Sequence, residues 1–206
     1  PGDSIWMTDR MVDMAIPLLR RQTYIKKAEK YKNQKININL DLFREMPINF
    51  NLDEVRWYFH LTGVHTDLTT PYLDVEPSDT IKNKVVIMRS TRRKNAFINY
   101  KFMQKYSELL FIGLKHEYED LKREVSNLNF YEAKDFLEIA QIIKSSKFFL
   151  GNSSFGFTIA EGLKVPRLME SFPDFPAVYP NGGHGYDFYF QEHLEQRFDY
   201  LYNLKK

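Results

Sequence analysis

The stretch Phe148 to Pro166, FFLGNSSFGFTIAEGLKVP, holds the residues whose types and spacing best suit ligand chemistry. An apolar run, Phe148-Phe149-Leu150, ends in the small polar loop Gly151-Asn152-Ser153-Ser154, and a helical pattern begins directly after it. Free backbone N–H groups and the positive end of a helix dipole make such a turn suited to anions. Asn152, Ser153 and Ser154 can donate hydrogen bonds to phosphate oxygens, and Gly156 would let a ligand approach the backbone closely. Glu161, beside Gly162, can accept hydrogen bonds from ribose hydroxyls. The plainer alternatives stay open: Asn152 and Ser153 only cap the helix, and Glu161 sits on its surface.

A second segment, Met88-Arg89-Ser90-Thr91-Arg92-Arg93-Lys94-Asn95, follows another apolar run, Val85-Val86-Ile87. Arginine binds phosphate oxygens as a bidentate fork, so Arg89, Arg92 and Arg93, with Ser90, are candidates for a diphosphate. A solvated basic loop is the alternative. A third segment, Tyr179-Pro180-Asn181-Gly182-Gly183-His184-Gly185-Tyr186-Asp187, surrounds one histidine with three glycines. Asn181, Gly183 and His184 are candidates for a loop folding over substrate, with His184 able to carry a proton; a long turn is the other reading. His60, His65, His116 and His193 show no metal-ligand spacing, so no metal is expected.

These segments need elements to position them. From Val85 onward short apolar strands and helical patterns alternate: strands at Val85–Met88, Leu109–Leu114, Asn129–Tyr131, Lys147–Leu150 and Arg167–Met169. Helices are predicted around Asn99–Tyr106, Glu117–Val125, Phe157–Leu163 and after Asp135, where Phe136, Ile139, Ala140 and Ile143 share one face. Such alternation predicts a Rossmann-like parallel sheet with helices on both faces. Ligands bind outside the carboxyl ends of such strands, where the Asn152 and Arg92 loops would lie.

The first 80 residues read as a smaller, incomplete α/β region, and residues 81–206 as the nucleotide-binding domain. A helix capped by Thr8-Asp9 would end or kink at Pro17. Lys35-Ile36-Asn37-Ile38-Asn39-Leu40 alternates like a half-buried strand, and Asn51–Thr62 reads as a helix. Pro71 and Pro77 punctuate the connection from Thr66 to Asn83, where the boundary is placed.

Composition narrows the class. With 206 residues, 43% hydrophobic and 27% charged, the chain is long enough for a real core. The net charge of only +2 argues against a polyanion such as nucleic acid as partner. The absence of cysteine excludes disulfides, thiolate metal sites and cysteine nucleophiles, and fits a reducing, cytoplasmic setting. No apolar run nears the roughly 18 residues that span a bilayer, which leaves peripheral membrane contact open.

The run from Ile139 to Pro166, with Phe149-Leu150-Gly151-Asn152-Ser153-Ser154 and Ala160-Glu161-Gly162-Leu163-Lys164-Val165-Pro166, resembles the C-terminal domain of heptosyltransferase-like enzymes, glycosyltransferase family 9 and relatives. The tail Tyr186–His193 is similar to bacterial and phage members of this group, and the resemblance covers about Val85 to Leu201. It implies the GT-B architecture, with the C-terminal half binding a nucleotide-diphosphate sugar. It also implies a glycan or lipid-linked acceptor, no cofactor, and a base on an N-terminal Rossmann domain. The family has Asp where this chain has Asn152 and Gly where it has Lys164; its N-terminal domain is about as large as its C-terminal one. Gly2-Asp3 matches the family's Gly-Asp dipeptide, whose Asp is the expected base, but no catalytic base is assigned here.

The expectation is therefore metal-independent transfer of a sugar from a nucleotide-diphosphate donor, or the donor-binding portion of such an enzyme. The alternatives are a non-catalytic nucleotide-binding or scaffold protein, and a sugar-nucleotide epimerase on the same scaffold. Fold alone does not choose among them.

Overall fold

The computed structural model describes residues 7–47, 53–174 and 178–205. Six strands form one sheet: β1 (Val85–Met88), β2 (Leu109–Ile112), β3 (Asn129–Tyr131), β4 (Phe148–Asn152), β5 (Arg167–Glu170) and β6 (Gly185–Phe188). Their order is β3-β2-β1-β4-β5-β6, and every pair is parallel. This is the doubly wound Rossmann order. Strands β1, β2, β4 and β5 are buried on both faces or nearly so, which explains the unbroken apolar runs of β1, β2 and the first three residues of β4; β5 instead buries Arg167 and Glu170 at its ends.

Alternate residues of each strand feed two cores. Val85, Ile87, Phe111, Phe148, Leu150 and Leu168 face one layer, which holds Tyr100, Met103, Leu121 and the helix α6 (Gln191–Asn203). Val86, Ile112, Phe149 and Met169 face the other, built by α4 (Phe136–Lys144) and α5 (Phe155–Leu163). The helix α3 (Lys115–Lys122) supplies Leu121. Helices therefore cover both faces, as the alternating pattern predicts.

Strand β6 and helix α6 extend the sheet into a region read from sequence as a loop and a tail. Leu194, Phe198 and Leu201, spaced four and three apart, are the fully buried stripe of α6 and were the available signal. The predicted helix at Asn99–Tyr106 is a shorter 3-10 turn, Lys101–Lys105.

Before β1 the described residues hold no strand. The helix α1 (Asp9–Arg21) starts at Thr8, whose hydroxyl accepts from the Met11 N–H, and packs on α4 with Leu18 buried in the same core as Val86. It runs on through Pro17 instead of ending there. The proline removes only the bond to the Asp13 carbonyl, and Leu18 anchors the following turn. The expected strand Lys35–Leu40 does not form, and all six residues lie exposed. Alternation alone makes no strand without an edge to pair with, and both sheet edges are remote in sequence. A short 3-10 turn, Leu40–Glu45, follows, and Phe43 stacks on Tyr58 of α2 (Glu54–Thr62) at 4.6 Å. The connection then crosses α5, with the Tyr72 and Leu73 N–H groups both donating to the Gly162 carbonyl at 2.9 Å. A side chain at Gly162 would strike both residues at 2.8 Å, so glycine is what lets the chain pass.

Candidate functional site

The sheet reverses its winding between β1 and β4, and the two sequence segments singled out for anion chemistry leave the carboxyl ends of those two strands. Asn152, the last residue of β4, joins them. Its side-chain oxygen accepts from the Ser90 N–H at 3.0 Å and from the Ser90 hydroxyl at 3.3 Å. Its amide nitrogen donates to the Ser90 carbonyl at 2.8 Å and the Arg93 carbonyl at 2.9 Å. Asn152 is fully buried, and its amide is consumed by the protein. It braces the loop after β1 against the end of β4. An aspartate could not donate to the two carbonyls, which gives a physical reason for asparagine here.

Arg89 is likewise engaged within the protein. It is buried, and its Nε and Nη2 donate to the two Glu170 carboxylate oxygens at 2.6 and 2.8 Å. The same carboxylate accepts from the Tyr100 hydroxyl at 2.8 Å and the Asn95 N–H at 2.5 Å. Burial works against the Arg89 charge, but the hydrogen bonds to Glu170 and the fields of Tyr100 and Glu170 outweigh it and raise its pKa. Burial, then the Glu170 charge, pushes the Tyr100 phenol well above its usual range. The Asn95 amide also donates to the Tyr189 carbonyl at 2.9 Å. The loop after β1 is thus tied to β4, β5 and the exit of β6.

What this bracing presents outward is the 3-10 turn Thr91–Arg93. Arg92 is exposed; Arg93 is half-buried, its pKa lowered by burial and by the neighbouring Arg92 charge. Lys94 pairs with Asp120 of α3, and the Thr91 N–H donates to Glu117. Beside this turn, Ser154 begins α5 without a side-chain cap bond. The first backbone bond of α5 comes from Thr158, so the N–H groups of Phe155, Gly156 and Phe157 have no intrahelical acceptor. Ser153 and Ser154 are half-buried, and neither hydroxyl bonds a described side chain. Phe155, 45% exposed, rests on Phe136 at 4.3 Å; sequence reading missed this aromatic pair.

Gly156 has another reason to be glycine. A β-carbon there would lie 2.5 Å from the Met88 sulfur, so the residue lets α5 seat on β1.

The remaining candidates lie at the other end of the sheet. Glu161 is in the last turn of α5, about 9 Å along the axis from Phe155, and bonds Lys164 and Arg167 at the start of β5. The Asn181 N–H donates to Glu161 at 3.1 Å, and the Lys164 ammonium donates to the Asn181 carbonyl at 3.0 Å. Arg167 also donates to the carbonyls of Val165, Asn181 and Gly183. Burial lowers the Lys164 pKa despite Glu161. His184, with φ of 55°, is exposed and gives its carbonyl to the Arg167 N–H at 2.9 Å. Glu161, Asn181, Gly183 and His184 thus anchor the loop before β6, away from Arg92 and Ser153. Glu161, expected at a ribose, and His184, expected in a loop over substrate, are placed together at this end of the sheet, and Glu161 has Lys164, Arg167 and the Asn181 N–H as partners. Gly2 and Asp3 lie outside the described residues. Among the described residues, no group of three or more His, Asp or Glu is placed to hold a metal ion.

Fold and edge together define a Rossmann-like α/β domain whose switch point carries a cationic turn and a free helix start. No protein-family model matches the chain, and no curated protein matches it in sequence. Solved structures that match the chain include two at low identity. The Escherichia coli ADP-heptose LPS heptosyltransferase II is 14% identical with a TM-score of 0.47, covering 69% of this chain and 56% of that one. A family 9 glycosyl transferase from Veillonella parvula is 13% identical with a TM-score of 0.48, covering 75% of this chain and 53% of that one. The chain spans a little over half the length of these structures.

Proposed function

We propose that this domain binds the diphosphate of a nucleotide-sugar donor and serves the donor half of a glycosyltransferase. The observation that carries the reading is the clamp at Asn152, which holds the Thr91–Arg93 turn against the end of β4, beside the unoccupied N–H groups of α5. A diphosphate there would meet guanidinium groups from Arg92 and Arg93 on one side. On the other it would meet the Ser153 and Ser154 hydroxyls and the helix start. Charge developing on the departing diphosphate would be stabilised by groups already in place, without a metal. The sequence resemblance to family 9 supports the choice of a sugar nucleotide over other diphosphates. The acceptor, glycan or lipid-linked, and the base belong to the same proposal and are assigned no residue.

The test is thermal stabilisation by ADP, GDP, UDP and CDP, with inorganic pyrophosphate and CMP alongside. A nucleoside diphosphate at 100 times its Kd stabilises the native state by about 2.7 kcal/mol, a rise of several degrees at this size. Selective stabilisation by one nucleoside diphosphate, reduced by Arg92→Ala and by Ser153→Ala, is the expected result. No stabilisation by any of them, or stabilisation indifferent to both substitutions, would remove the reading.

A further inference from the structure

Charge in this chain is strongly segregated. Residues 20–35 hold seven of the 29 basic residues (Arg20, Arg21, Lys26, Lys27, Lys30, Lys32 and Lys35) and one of the 27 acidic ones, Glu29. The rest of the chain is net acidic, 22 basic against 26 acidic. The carboxylates packed nearby are already used: Asp9 and Asp13 pair with Lys30, Glu29 with Lys27, and Glu76 with Arg21. Lys26, Lys32 and Lys35 form no ion pair among the described residues and stand exposed.

The same segment exposes apolar and aromatic side chains that a folded surface normally covers. Residues 31–40 are exposed without a break. Tyr31 is 64% exposed, Ile36 52%, Ile38 57% and Leu40 52%. The chain leading to them also lines an open hollow of about 390 Å³, with Val12, Ile16 and Leu19 of α1 on one side and Ile25, Lys27 and Glu29 on the other. Bonds from Arg20 to the Ala28 carbonyl and from Lys30 to Asp13 hold that second side to α1. Gln34 bonds back to Glu29 and to the Lys30 carbonyl, which folds the chain over between them.

Unpaired lysines interleaved with exposed tyrosine and branched aliphatic residues match an interfacial binding surface. Cations meet anionic headgroups while the apolar tips enter the headgroup boundary. A protein partner for Ile36, Ile38 and Leu40 would not by itself account for the excess of cations around them. We propose that residues 19–42 dock this protein onto an anionic lipid surface. Attachment is peripheral, since no helix among the described residues is long and apolar enough to cross a membrane.

Flotation of the full chain with vesicles tests this, using phosphatidylcholine alone and phosphatidylcholine with phosphatidylglycerol. The chain should float with the anionic vesicles only, and be released as salt rises to about 1 M, where the Debye length is about 3 Å. Lys26→Glu with Lys32→Glu and Lys35→Glu should abolish flotation. Ile36→Ser with Ile38→Ser and Leu40→Ser should weaken it by about tenfold or more. All six positions are exposed, and circular dichroism checks that both variants stay folded. Failure to float with anionic vesicles, or flotation unchanged in both variants, overturns the proposal. So does a dimer in sedimentation that the Ile36, Ile38 and Leu40 variant dissociates, because the apolar strip then serves a second copy of the chain.

Discussion

Replacing Asn152 by aspartate keeps the shape of the side chain and removes its two donors. The Ser90 and Arg93 carbonyls would then face a carboxylate. The expected cost is about 1–3 kcal/mol, read from urea unfolding at neutral pH. The loss should shrink on acidification, as the introduced carboxyl can donate again once protonated. An aspartate variant as stable as the parent would mean that the clamp is unimportant. Arg89 and Glu170 bear a harsher test, because a buried carboxylate left alone is costly. Arg89→Ala should destabilise by about 3–5 kcal/mol, and Arg89→Met with Glu170→Gln by less than the sum of the two single changes. Tyr100 adds a pH dependence. Its raised pKa means that its contribution is fully present below the ordinary tyrosine value of about 10 and fades as pH climbs above it. Unfolding free energy should fall from pH 9 to 11, and Tyr100→Phe should flatten that decline.

At the scale of elements, the contact between Gly156 and Met88 predicts a specific rescue. Gly156→Ala should destabilise by about 1–3 kcal/mol through overpacking against the Met88 sulfur, and Met88→Ala in the same chain should return part of that loss. Additive single effects would show that α5 shifts to make room. Strands β1, β2 and β4 were readable from their apolar runs, and β1 and β3 fall where the run and the spacing place them. Strand β6 was not, because Gly185-Tyr186-Asp187-Phe188 mixes polar and apolar residues at a half-covered edge. Lys35–Leu40 misled in the opposite direction, since its alternation is that of a strand and its surroundings offer no partner. The site shows the same division. Loop chemistry at Ser153 and Arg92 is local and visible in sequence. The partners that withdraw Arg89 and Glu161, Glu170 and Arg167, are distant or buried, and residue type does not announce them.

For the whole molecule, the winding of the sheet decides which candidates can meet. Loops that leave β1 and β4 at their carboxyl ends converge, whereas those that enter β5 and β6 form the opposite end, whatever their composition. Nucleotide binding at the switch point should therefore weaken with ionic strength through Arg92 and Arg93. Glu161→Gln should lower stability with little effect on affinity for nucleoside diphosphate or pyrophosphate. An affinity loss confined to nucleoside diphosphates would return Glu161 to the ligand. The idle N–H groups at the start of α5 also make the domain its own isotope gauge. The amides of Phe155, Gly156 and Phe157 have no intrahelical acceptor to protect them from deuterated water, while those of β4 beneath them are locked in the sheet. An anion seated there would slow those three amides and leave the Asn181 end of the domain at its own pace, so the footprint of a ligand can be timed before its identity is known.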